Sequence, residues 1–134
     1  MAHKFIVDAH ALIWHLENNS RLGQNAAAVL DDSSSDLIIP AVALGEACWI
    51  VDKGRTTLPN SGVLLDAIEG DARITVEPLT SVIIRRASTL TGNLEMHDRQ
   101  IVATALVLSE GGDPIPVITR DKAIAGSALV PIIW

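Results

Sequence analysis

The sequence predicts an α/β sandwich on a mainly parallel sheet, and three observations carry that prediction. Short apolar runs of strand length alternate with segments of helical period along the whole chain. The strand-like runs, Phe5-Ile6-Val7 and Leu37-Ile38-Ile39 among them, are continuously apolar, the pattern of strands covered on both faces. Turn-forming residues punctuate the helical segments, so each ends where a strand can follow.

The elements follow in order. Lys4 to Val7, rich in aromatic and β-branched residues, reads as a buried strand. Ala9 to Glu17 places Leu12, Ile13 and Leu16 at helical spacing, and Asn25 to Leu30 makes a short helix that stops at Asp31-Asp32-Ser33-Ser34-Ser35. Leu37 to Ile39 is a second strand. Val42 to Asp52 is a strongly apolar helix closed by Lys53-Gly54, a basic residue and then a glycine. Ser61 to Glu69 is a helix capped by Ser61 and ended at Gly70, and Ile74 to Val76 is a third strand closed by Pro78. A helix from Thr80 or Ser81 to Leu90 stops before Gly92. The longest helix, Met96 to Glu110, runs into Gly111-Gly112. Val117 to Thr119 is a fourth strand, Lys122 to Ala125 a helical turn, and Val130 to Ile133 a fifth strand. No repeat, linker or low-complexity tract interrupts the series.

At 134 residues, with 49% hydrophobic, the chain is sized for one domain with a real core and is too apolar for disorder. No apolar run approaches the ~18 residues that cross a bilayer, and Met1-Ala2-His3-Lys4 shows no secretory leader, so a cytoplasmic protein is expected. The single Cys48 excludes an internal disulfide and a cysteine-built zinc site. The net charge of −6 argues against coating nucleic acid by charge alone. It leaves room for a metal-dependent phosphodiesterase, because bound divalent ions reverse the field inside a site.

Four acidic residues are set into or against apolar runs: Asp8, Glu46, Asp98 and Asp121. A buried carboxylate is disfavoured unless it is paired, hydrogen-bonded or bound to a metal. On a helix, Glu46 has Val42, Ala43, Trp49 and Ile50 as its three- and four-residue neighbours, which places it on the core-facing stripe. The alternatives are a buried arginine partner or a position at the stripe's rim. Asp8, Asp98 and Asp121 each precede a helical segment, where aspartate as an N-cap contributes about 1 kcal/mol. Capping and metal binding are compatible there, since helix N-termini favour negative charge. Ligands of open α/β sheets gather at the carboxyl ends of strands, where Asp8 and Asp121 fall and which Asp98 can reach. Carboxylates without thiols select Mg²⁺ or Mn²⁺, and two such ions can position water and stabilise a leaving oxygen in phosphodiester cleavage. The residues thus point to metal-dependent hydrolysis of a phosphate ester.

Over nearly its whole length the sequence resembles the PIN-domain ribonucleases, specifically VapC-type toxins. Phe5-Ile6-Val7-Asp8-Ala9-His10-Ala11-Leu12-Ile13-Trp14 is similar to the family's opening, except that Ala9 stands where the subgroup usually has threonine. Ile39-Pro40-Ala41-Val42-Ala43-Leu44-Gly45-Glu46, followed by Lys53-Gly54-Arg55, resembles its glutamate helix. His97-Asp98-Arg99-Gln100-Ile101-Val102-Ala103-Thr104-Ala105 resembles its Asp-Arg helix start, and Ile118-Thr119-Arg120-Asp121 its final Thr-x-Asp. The resemblance implies one PIN domain over residues 1–134, a three-layer α/β/α sandwich around four or five mainly parallel strands. It also implies a Mg²⁺- or Mn²⁺-dependent endoribonuclease. Asp8, Glu46, Asp98 and Asp121 would be its catalytic metal-binding acids, with Thr119 in support. Such proteins are generally homodimers, often inhibited by a cognate antitoxin encoded beside them.

Arg99, Arg120 and Lys122 adjoin the acids and are candidates for RNA phosphate contacts, with solvated side chains or salt bridges as the alternative. His10 and His97 are better read as surface or packing histidines than as proton carriers, Trp14 and Trp49 as core or dimer packing residues, and Cys48 as inert core. Competing functions are an RNA-processing or orphan PIN nuclease without a toxin role, a phosphoacceptor or dehalogenase-like phosphatase, and a non-catalytic interaction domain. The phosphatase pattern wants an acid two residues after the first, where His10 stands, and the phosphoacceptor pattern wants adjacent acids at the first strand's end.

Overall fold

The computed structural model describes residues 3–134. Met1 and Ala2, on which part of the expectation of no secretory leader rests, lie outside the described residues. At its centre is β1 (His3–Val7), which pairs in parallel with β2 (Ser35–Pro40) on one side and β4 (Val117–Ile118) on the other. β3 (Ile74–Glu77) extends the β2 side and β5 (Ile132–Ile133) the β4 side, giving the order β3-β2-β1-β4-β5 with every pairing parallel. The fifth strand expected near the C-terminus is therefore present, and the sheet is wholly parallel.

Burial follows from this order. Ile6, Val7, Val117 and Ile118 in the centre are buried in sequence, as are Leu37 to Ile39, because helices cover both faces. In β3, at the edge, Thr75 and Val76 are exposed. The crossovers carry α1 (Ala9–Leu16) and α2 (Gln24–Asp31), then α3 (Ala41–Asp52) and α4 (Ser61–Glu69), then α5 (Ser81–Ser88) and α6 (Met96–Leu108), and finally α7 (Lys122–Ser127). The result is an α/β/α sandwich whose main core joins the sheet to α1, α3 and α6, with a small satellite of Ile83, Ala87 and Ala103 between α5 and α6.

Local chemistry sets the element ends. The α4 cap is Asn60, one residue before the Ser61 expected, its side chain accepting from Val63 N at 3.1 Å. Thr80 caps α5 by accepting from Ile83 N. α3 stops where Gly54 turns to φ +73, a left-handed position that suits glycine. Asn18, at φ 54, makes the same turn after α1, and its short polar side chain tolerates the conformation. Two further expectations need correction. The buried stripe of α3 is Ala43, Ala47 and Val51, so Glu46 lies at its rim, and Trp49, 56% exposed, is not a core residue. Asp98 is the third residue of α6 and not its cap; Glu95 precedes the helix.

The chain order also locates the place where a ligand would bind. The connections from β1 to β2 to β3 step in one direction, and the next crossover returns to β4 on the opposite side of β1. The carboxyl ends of β1 and β4 therefore flank the point where the winding reverses, the usual binding crevice of such sheets.

Candidate active site

Asp8 and Asp121 leave the sheet at that reversal point. Ile118 is the Cα partner of Val7, so the residues that follow each strand start side by side. Asp8 caps α1: its Oδ1 accepts from Ala9 N at 2.7 Å, and its Oδ2 accepts from the Thr119 hydroxyl at 2.7 Å. Thr119 Oγ1 in turn accepts from Asp121 N at 3.0 Å, and Asp121 Oδ1 caps α7 by accepting from Ile124 N at 3.0 Å. Thr119, only 2% exposed, is thus the buried link that orients both aspartates. Ala9, which lacks the hydroxyl of the resembled sequences, serves Asp8 through its backbone.

The other two acids come from helices packed over the sheet. Burial raises the Asp98 carboxyl to about 6, and the neighbouring charges of Asp121, Asp8, Glu95 and Glu46 push the same way. The Glu46 carboxyl is also raised, first by burial and then by Asp8, with Asp121 adding to the shift. His10 and His97, both exposed, oppose the Glu46 shift. The fields of Asp8, Glu46, Asp98 and Asp121 therefore overlap, although strands and helices far apart in sequence supply them. Among the described residues, the ion pairs are His15–Asp31, Arg73–Asp71 and Arg86–Glu110, none of which involves these four acids.

Residues 5–126 match the PIN domain family. The chain is a PIN-domain protein. No curated protein matches it in sequence. Among solved structures, its fold is similar to VapBC2 from Rickettsia felis bound to a fragment of its promoter DNA, with TM-score 0.70, 11% identity and 96% of each chain covered. It is also similar to a toxin–antitoxin complex from Klebsiella pneumoniae (TM-score 0.67, 19% identity, 97% of this chain and 96% of that one). FitAcB from Neisseria gonorrhoeae follows (TM-score 0.65, 19% identity, 96% and 95% covered). PIN domains are generally nucleases, and membership in the family sets aside the phosphoacceptor and phosphatase readings.

The PIN-domain acids suit a hard dication by their chemistry: four carboxylates, none in an ion pair among the described residues, two of them raised by burial and then by the charges of the others. As they stand, no three His, Cys, Asp or Glu side chains among the described residues approach closely enough to ligate one ion together.

Beside the acids, a cleft of about 770 Å³ runs along α1. Its lining includes Asp8, Thr119, Asp121 and Arg120, together with Arg55, which follows the glutamate helix, and Glu17, Arg21 and Thr57, which no sequence motif singled out. Arg120 lies 4.7 Å over the Trp14 ring, and Trp14 also meets Trp134 edge-on, so Trp14 is a packing residue as expected. Lys122 is exposed at the first turn of α7.

Arg99 does not serve the role of a phosphate contact. Its guanidinium donates to the carbonyls of Leu94 at 2.8 Å, Gly92 at 3.1 Å and Leu90, fastening the connection from α5 to α6. Cys48 is partly buried, and its thiol is raised by burial and by Asp52, which keeps it protonated and unreactive.

Proposed function

We propose that this PIN domain is a Mg²⁺- or Mn²⁺-dependent endoribonuclease of the VapC type, the toxin of a toxin–antitoxin pair. One observation carries the reading: four carboxylates, none in an ion pair among the described residues, act on one another near the reversal point of the sheet, two of them raised by burial and then by the charge of the others. Asp8, Glu46, Asp98 and Asp121 would hold the cation, which when bound would activate water and stabilise the leaving oxygen.

The chain's own residues do the rest. The Thr119 hydroxyl fixes the Asp8 carboxylate and the backbone ahead of Asp121, so both acids are aimed before anything binds. Asp98, with its carboxyl near 6, gives up its proton when a cation binds, so occupancy falls in more acidic solution. Arg120 and Lys122, next to Asp121 and exposed, are placed to meet phosphates.

The toxin assignment draws support from the likeness to the VapBC2 and Klebsiella pneumoniae structures. An antitoxin protein would be the partner. A homodimer belongs to the same reading, supported by exposed Val82, Ile84 and Met96 on the packed pair α5 and α6.

Purified protein incubated with RNA and Mg²⁺ or Mn²⁺ should cut it, and a chelator or the substitution Asp98→Asn should stop the reaction. Cleavage that survives the chelator, or that persists in Asp98→Asn, would remove the assignment.

A further inference from the structure

We infer that the cleft along α1 is a groove for a nucleic-acid strand, in which Arg21 and Arg55 hold backbone phosphates away from the scissile one. The inference rests on the ribonuclease reading and assigns residues that reading leaves idle. Asp8 caps α1 at one end and Glu17 at the other. At 1.5 Å per residue the two ends are ~13 Å apart, about four nucleotides of a stacked strand at ~3.4 Å each. Asp8 and Asp121 line that end of the cleft. Glu17, Arg21, Arg55 and Thr57 line the same cleft around the Glu17 end, and Arg120 joins them.

The far end is built, not fortuitous. Glu17 Oε2 accepts from Thr57 N at 2.7 Å and from the Thr57 hydroxyl at 2.8 Å, across 40 residues of sequence. Glu17 Oε1 accepts from Asn19 Nδ2 at 3.3 Å, and Asn19 Oδ1 accepts from Arg21 N at 2.9 Å. One hydrogen-bonded hub therefore ties the Arg21 turn to the Arg55–Thr57 loop. Both arginines are exposed, and neither joins an ion pair among the described residues.

Arg73, Arg86 and Arg99 are committed elsewhere, to Asp71, to Glu110 and to backbone carbonyls. In a chain of net charge −6, Arg21 and Arg55, in no ion pair among the described residues, share one cleft with Arg120, which lies over the Trp14 ring, and this cationic lining suits a polyanion. Guanidinium recognises phosphate oxygens in a bidentate manner. Glu17 touches no phosphate in this scheme; it is a positioning residue.

The test measures binding of a labelled single-stranded RNA oligonucleotide to the Asp98→Asn protein in Mg²⁺ over a range of salt. Arg21→Ala and Arg55→Ala should each weaken binding by about 2- to 5-fold and lower the salt slope by ~0.7. Arg85→Ala, on α5 and outside the cleft lining, should change neither. Thr57→Val should weaken binding with the slope kept, and Thr57→Ser should restore it. Circular dichroism checks that each variant is folded.

If the parent protein binds RNA and wild-type protein cuts it, but the two arginine variants match the parent in affinity and slope, the groove is refuted and the nuclease reading stands. If the parent binds no RNA, both fall. Arginine-dependent binding of polyglutamate in place of RNA would assign the cleft to an acidic peptide and overturn the proposal.

Discussion

Thr119 shows how much a single hydroxyl decides here. It donates to Asp8 and accepts from the Asp121 backbone, so Thr119→Val, nearly the same shape, unties both acids at once. Loss of such a supporting hydrogen bond to a metal-site ligand typically costs 10- to 100-fold, and we expect cleavage to drop by about that factor with the melting temperature little changed. An unchanged rate would mean the acids are oriented without it. Asp98 makes the complementary case. Its carboxyl is raised to about 6 in the folded chain, against ~3.9 when unfolded. Between those values the native state binds the extra proton, so metal-free stability falls as pH rises through the window and levels off above it. Glu46 shifts in the same direction. Asp98→Asn should therefore melt at or above the metal-free parent at pH 8, with the gap closing near pH 4. A marked destabilisation at pH 8 would expose a structural role that repulsion does not explain.

Among the elements, the loop from α5 to α6 and the packing of α3 separate what the sequence discloses from what it conceals. Asp8 and Asp121 were legible because strand ends and helix caps are local patterns that place their side chains. Glu46 stands out in the sequence on partly mistaken grounds. Apolar neighbours at Val42, Trp49 and Ile50 suggested a core-facing stripe, yet α3 turns its alanines inward because only small side chains permit close approach to the elements around it. Arg99 was misread because the carbonyls it meets are oriented by the tertiary path of residues 90–94, which no periodicity encodes. Arg99→Met should lower stability by about 2 kcal/mol, seen as an earlier urea midpoint, while RNA affinity stays level. Loss of RNA affinity without loss of stability would return Arg99 to the substrate. The cleft's Glu17–Thr57 contact was hidden for the same reason, since its partners are 40 residues apart.

For the whole molecule, the concentration of unneutralised acid at one place makes stability respond to cations. A ligand that binds only the folded state raises stability with its concentration. Millimolar Mg²⁺ should therefore raise the melting temperature of the wild-type protein, a chelator should reverse it, and Asp98→Asn should respond far less. Equal responses in both proteins would locate the ion elsewhere. No helix among the described residues is long and apolar enough to cross a membrane. The contact that joins Asp8 to Thr119 spans 111 positions, so the Asp8 carboxylate gains its hydroxyl partner, and Asp121 takes its place beside it, only after residue 121 has been added and β4 has paired with β1.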